Sequence, residues 1–138
     1  MTAASARYLL DTSICIRIAM GHPQAVRDRF ARHALHELAL SVVTVGELRF
    51  GAERSQSRDQ ALATIERLVQ LIGPRPLPMA AAEHYGHIRA ALHGQSQSIG
   101  NNDLWLAAHA RAEGWTLVTH HARALARVPG LQIENWGD

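Results

Sequence analysis

A chain of 138 residues, of which 47% are apolar, is long enough for one domain with a substantial hydrophobic core, which we expect to span residues 1–138 with a flexible start at 1–6. All 14 basic side chains are arginines and oppose 12 carboxylates, for a formal charge of +2, and the absence of lysine excludes P-loop and Schiff-base chemistry. The single cysteine, Cys15, excludes an internal disulfide and favours a reducing compartment. Since no segment is typical of a signal peptide or a membrane span, we expect a soluble cytoplasmic protein.

Short apolar segments alternate with amphipathic ones along the chain, which predicts strands and helices in turn. Asp11 is typical of a helix cap, and Thr44 with Glu47 resembles a capping box that would begin a helix. In chain order we predict a strand at 7–10, helices after 11 and 23, a strand at 38–43, helices at 44–54 and 57–72, a short strand at 75–77, a helix at 79–93, a flexible polar loop at 94–100, a helix at 101–113, a strand at 115–119, a helix at 120–127 and a strand at 131–133. This alternation predicts an α/β fold, a mostly parallel sheet of four to five strands with helices on both faces.

Three carboxylates and two histidines are predicted to meet at one edge of this sheet. In open parallel sheets the functional crevice lies beyond the carboxyl ends of the strands. Asp11 follows the first strand, and Glu47 lies shortly after the second. Asp103 begins a helix that leads back to a later strand, after which His120 and His121 follow. Segments far apart in the sequence therefore contribute to one candidate site.

Each carboxylate alone has an ordinary structural explanation, because Asp11 could cap a helix, Glu47 could complete a capping box and Asp103 could complement a helix dipole. Together they place three negative charges at one edge, which is unfavourable unless a cation lies between them. Oxygen ligands without cysteine suit Mg²⁺ or Mn²⁺, and such sites commonly act on phosphate groups. Nearby arginines could hold phosphates or could simply be solvated. These arginines are Arg49, Arg123 and Arg127.

A joint pattern of five segments is more specific than any single acidic residue. The segments are Leu9–Ile16, Val43–Ala52, Ile99–Ala108, Leu117–Thr119 and Val128–Trp136. In the same order they resemble the PIN-domain ribonucleases, and most closely the VapC-type toxins of bacterial type II toxin–antitoxin modules. The resemblance places Asp11, Glu47 and Asp103 on the family's acidic metal-binding positions and predicts a PIN-like fold.

The resemblance implies an endoribonuclease that depends on Mg²⁺ or Mn²⁺ and cleaves structured RNA such as tRNA or rRNA. It also implies a homodimer and a cognate, VapB-like antitoxin that silences the enzyme. The chain departs from the pattern after Leu117–Thr119, where many members have Asp or Asn and this chain has His120 and His121. His121 is therefore a tentative fourth site residue, which could contact a metal ion or hold a water.

Two alternatives remain open at this point. The histidine pair could act as general acid and base in a ribonuclease that needs no metal. The chain could instead be an RNA- or protein-binding module whose site is degenerate. Cleavage that survives EDTA would favour the first alternative, and RNA binding without turnover in any divalent metal would favour the second.

Overall fold

The structure is a computed structural model that describes residues 6–21, 24–95 and 99–136. Within these ranges the strands are β1 (Tyr8–Leu10), β2 (Leu38–Ser41), β3 (Pro74–Arg75), β4 (Thr116–Val118) and β5 (Gln132–Glu134). The helices are α1 (Thr12–Met20), α2 (Gln24–Ala31), α3 (Val42–Glu53), α4 (Arg58–Ile72), α5 (Ala80–Leu92), α6 (Asn101–Glu113) and α7 (Ala122–Leu125), with a short 3-10 turn at Leu35–Glu37. None of the described helices is long and apolar enough to cross a membrane. Of the expected flexible start only Ala6 is described, and it is buried. The middle of the expected polar loop, residues 96–98, lies outside the described ranges.

The five strands form one parallel sheet in the order β3-β2-β1-β4-β5. Successive side chains of a strand point to opposite faces, and the buried strands here are apolar on both. Leu9 and Leu117 enter a core under α5, α6 and α7, whereas Leu10 and Val118 enter a second core under α1, α3 and α4. The predicted α/β fold, a parallel sheet with helices on both faces, is confirmed.

The chain path fixes where a crevice can form. From β1 the sheet grows through β2 and β3 in one direction and through β4 and β5 in the other. The order of strands therefore reverses beside β1, and in such sheets the crevice beyond the carboxyl ends at the reversal is the usual ligand site. Asp11 follows β1 at this point, and its backbone N–H donates to the carbonyl of Val118 at the end of β4 over 3.0 Å.

The predicted start of α3 is wrong, because the helix begins at Val42 instead of Thr44 and Ser41 is its cap. The strand ends at Ser41, whose hydroxyl accepts a hydrogen bond from the Val43 N–H over 3.1 Å. Thr44 is buried inside the first turn, where its hydroxyl has no hydrogen-bond partner among the described residues. The capping box with Glu47 therefore does not form, and the Glu47 carboxylate is left available for other contacts.

Most other predicted elements differ from the observed ones by one or two residues at an end. The short strand predicted at 75–77 lies at Pro74–Arg75, and these two residues pair with Leu40 and Ser41 of β2. The helix predicted at 120–127 is limited to Ala122–Leu125, and the last strand ends one residue later than predicted, at Glu134.

His109 is a fully buried polar residue of α6 that contacts the end of β2. Its Nδ1 atom lies 3.0 Å from the Ser41 hydroxyl, and its ring lies 5.5 Å from that of Trp115. Burial, with a smaller contribution from the nearby positive charge of Arg75, lowers the pKa of His109 from 6.5 to about 4. The imidazole is therefore neutral in the folded protein near pH 7.

This depressed pKa makes stability depend on pH. The unfolded chain binds a proton at this histidine near pH 6.5, whereas the folded chain binds it only near pH 4. The contribution of the neutral His109 to the free energy of unfolding is therefore complete above pH 6.5 and is lost as the pH falls toward 4. From pH 7 to pH 5 we expect His109 to account for a loss of about 2 kcal/mol in the free energy of unfolding.

Urea unfolding of the wild type and of His109→Asn at both pH values measures this loss. The other titrating groups are common to the two proteins, so the wild type should lose more stability than the variant. Equal losses in the two proteins would contradict a neutral, buried imidazole.

Candidate active site

Asp11 occupies the first position after β1 and caps α1. It is 2% exposed, and its Oδ1 atom accepts hydrogen bonds from the Ile14 N–H over 3.0 Å and from the Ser13 hydroxyl over 2.8 Å. The capping explanation considered above is therefore correct for Asp11. Two hydrogen bonds and the N-terminus of a helix keep a buried carboxylate in a fixed orientation at the crevice.

Glu47 lies half-buried on α3 and is joined to the first residue of α1. The Thr12 hydroxyl donates a hydrogen bond to its Oε1 atom. Because Thr12 follows Asp11 directly, this bond brings the Glu47 carboxylate to the segment that carries Asp11. One helix start thus orients two of the three predicted carboxylates.

Asp103 lies half-buried in the first turn of α6 and is electrostatically coupled to the other two carboxylates. Its pKa is raised, first by burial and then by the negative charges of Asp11 and Glu47, while the charge of His121 opposes the rise. The structure therefore brings together Asp11, Glu47, Asp103 and His121, as the chain path predicts. Both burial and the neighbouring carboxylates thus disfavour the ionised form of Asp103.

The donor set suits a hard, partly hydrated cation. In the described ranges no three His, Cys, Asp or Glu side chains stand close enough together to enclose a metal ion by themselves. Mg²⁺ does not require such a cage, because it usually keeps several waters and binds one or two carboxylates together with substrate phosphate. The oxygens of Asp11, Glu47 and Asp103, with their excess negative charge, fit that mode of binding.

The two histidines differ in their surroundings. The backbone N–H of His121 donates to the Thr119 hydroxyl over 2.8 Å, and its exposed ring is the one whose charge acts on Asp103. His120 is half-buried, and its Nδ1 atom has no hydrogen-bond partner within the described part of the chain. The two ring centres are 6.0 Å apart and the rings are steeply inclined, at 65°. His121 is therefore the member of the pair that belongs to the carboxylate site.

The predicted phosphate-binding arginines are engaged to different degrees. Arg49 of α3 forms an exposed ion pair with Glu66 of α4 at 2.9 Å, so a phosphate would compete with Glu66 for its guanidinium. Arg127 donates to the Gln95 side chain over 3.0 Å. Arg123 is exposed. None of these contacts directs a guanidinium toward the carboxylates.

Several residues of the site were missed by the sequence analysis. Thr12 and Ser13 look like ordinary turn residues after a strand, yet their hydroxyls hold Glu47 and Asp11. An open cleft beside Glu47 was also missed, because its exposed apolar side chains look like part of a core pattern. It is lined by Val42, Val43, Gly46, Glu47, Phe50 and Asn102.

Comparison with known proteins places the chain in a family. The PIN domain family model matches residues 8–131. The tRNA(fMet)-specific endonuclease VapC of Shigella flexneri is 41% identical over 130 residues, which cover 94% of this chain and 98% of the relative. Ribonuclease VapC2 of Haemophilus influenzae is 38% identical with the same coverage. The crystal structure of DNA-bound VapBC from Salmonella typhimurium superposes with a TM-score of 0.88 at 33% identity, over 95% of this chain and 98% of the matched one. The chain therefore belongs to the PIN-domain family and, within it, to the VapC ribonucleases.

Proposed function

We propose that this protein is a metal-dependent endoribonuclease toxin that hydrolyses phosphodiester bonds in RNA. The observation that carries the proposal is the electrostatic coupling of Asp103 to Asp11 and Glu47 at the switch point of the sheet, in a chain of the VapC family. The name of the Shigella flexneri relative, a tRNA(fMet)-specific endonuclease, supports tRNA as the class of substrate.

The three carboxylates have distinct tasks in this proposal. Asp11 and Asp103 would hold one Mg²⁺ or Mn²⁺ ion, and Glu47 would complete the acidic site or orient the attacking water. Such a cation supplies Lewis acidity toward the phosphodiester and lowers the pKa of water. Thr12 keeps the Glu47 carboxylate in place, and Ser13 does the same for Asp11. The chain contains no lysine. Any phosphate that is held by a positively charged side chain must therefore be bound by an arginine or a histidine.

The proposal includes two protein partners. The solved relative from Salmonella typhimurium is a VapBC structure, which supports a cognate VapB-like antitoxin for this chain. We propose that both proteins act in the cytoplasm. Large exposed apolar side chains, Ile16 and Met20 on α1 and Val42 and Phe50 on α3, give such a partner apolar surface to cover. We also propose a homodimer, which the mass of the purified protein in solution tests: the mass of a single chain at micromolar concentration would exclude it.

The first expectation concerns the carboxylates. Purified protein should cleave tRNA in Mg²⁺ or Mn²⁺ and stop in EDTA, and Asp11→Asn or Asp103→Asn should lower the rate by at least about 100-fold, because each removes a charged ligand. Gel analysis of cleaved tRNA measures this. Asp59→Asn is the matched control, since Asp59 is 97% exposed on α4 and should keep the full rate. A wild-type rate in Asp103→Asn would contradict the proposal.

The second expectation distinguishes the metal-dependent mechanism from the histidine mechanism. Hydrolysis by water should leave 5′-phosphate ends, whereas attack by the ribose hydroxyl with His120 and His121 as acid and base would leave 2′,3′-cyclic phosphate. Mass spectrometry of the fragments identifies the ends. Cyclic ends that still form in EDTA would overturn metal dependence, and RNA binding without any cleavage would favour a degenerate binding module.

The third expectation concerns Thr12. Thr12→Val removes the hydroxyl that holds Glu47 while it preserves the shape of the side chain, so we expect about a 10- to 100-fold loss of cleavage rate or metal affinity. Thr12→Ser keeps a hydroxyl and should retain most of both. If the two variants lose the same amount, the hydrogen bond to Glu47 does not matter for the site.

A further inference from the structure

His109 is a buried imidazole to which the proposed chemistry assigns no task. It is completely buried in α6, and its Nε2 atom has no hydrogen-bond partner in the described ranges. An unsatisfied buried polar atom costs free energy, so an apolar side chain would fill this place at lower cost. The contact that the ring does make, through Nδ1 to Ser41, is therefore the feature that needs an explanation.

The Ser41 hydroxyl makes two hydrogen bonds at this point. Its oxygen accepts from the Val43 N–H over 3.1 Å, and it pairs with Nδ1 of His109 over 3.0 Å. In one neutral tautomer the hydroxyl donates to Nδ1, and in the other Nδ1–H donates to the second lone pair of the hydroxyl oxygen. In either case Nδ1 is paired with Ser41, and Nε2 has no partner within the described residues.

The hydrogen bond lies where the two helices that carry site carboxylates are joined. Ser41 caps α3, which reaches Glu47 six residues later, and α6 carries Asp103 six residues before His109. Each carboxylate is thus about 9 Å along a helix axis from the same contact. The helices α3 and α6 also pack against each other.

We propose that His109 is a positioning residue of the active site: through its hydrogen bond with Ser41 it fixes the start of α3 against α6 and so sets the separation of the Glu47 and Asp103 carboxylates. This inference rests on the proposed function, because the separation of the two carboxylates affects activity only if they bind a cation together. If the pair is broken, α3 and α6 can shift relative to each other, and the cation site loses its preformed geometry.

The test is the affinity of the purified protein for Mn²⁺ without RNA, measured by calorimetry. His109→Leu removes the ring nitrogen that pairs with Ser41 and should weaken Mn²⁺ binding about 10- to 100-fold, in the range found for residues that orient metal ligands. His109→Asn keeps a polar group near the position of Nδ1 that can donate or accept, and it should bind Mn²⁺ within about threefold of the wild type. Val128→Ala is the control, because Val128 is buried in the same core but belongs to neither helix, and it should lose stability without losing affinity.

Ser41→Ala removes the same hydrogen bond from the other side, together with the cap on the Val43 N–H, and keeps the test decisive if His109→Leu does not fold. It should weaken Mn²⁺ binding as well, and the double variant should lose no more affinity than Ser41→Ala alone, since the contact that His109→Leu breaks is then already absent. Wild-type affinity in Ser41→Ala and His109→Leu, or an equal loss in Val128→Ala, would overturn the positioning role alone. If the wild type itself neither binds Mn²⁺ nor cleaves RNA, the proposed function fails and the positioning role with it.

Discussion

The repulsion among three carboxylates at one edge of a parallel sheet is the constraint on which the rest of this structure depends. Asp11 is almost completely buried, Glu47 and Asp103 are half-buried, and the chain contains no lysine that could lie between them. The pKa of Asp103 is raised first by burial and then by the negative charges of Asp11 and Glu47, since like charges that share a partly desolvated site oppose one another. The two apolar cores above and below the sheet hold the carboxylates together against that repulsion.

Helix ends compensate part of the charge. Asp11 caps α1, and Asp103 lies in the first turn of α6, so two of the three carboxylates meet the partial positive charge of a helix N-terminus. Glu47 has no such position and relies on the Thr12 hydroxyl. This partial compensation reduces the electrostatic cost of placing the carboxylates at one edge of the sheet. Capping by Asp11 and the proposed metal binding are therefore compatible, because only its Oδ1 atom accepts the two capping hydrogen bonds.

The alternation of apolar segments was sufficient to predict the sheet, and the rule for switch points was sufficient to bring Asp11, Glu47 and Asp103 together. The start of α3 could not be predicted, because Ser41 and Thr44 have similar capping chemistry and the choice depends on where the pairing of β2 with β3 ends. Contacts between distant residues could not be predicted either. Thr12 and Glu47 are 35 positions apart, and Ser41 and His109 are 68 apart. In an alanine-rich helix His109 has no local signal that marks it as anything but a surface residue.

The proposed cation site among these carboxylates is tested most directly by stability measurements on the wild type and on Asp103→Asn, each in EDTA and in Mn²⁺. In EDTA the variant should have the larger free energy of unfolding, because the substitution removes one of three repelling charges from the folded state. Addition of Mn²⁺ should stabilise the wild type, because an ion that binds only the folded state raises the free energy of unfolding. The stability of the variant should remain nearly unchanged. A variant that is less stable than the wild type in EDTA and gains as much from Mn²⁺ would contradict the presence of a cation site at these residues.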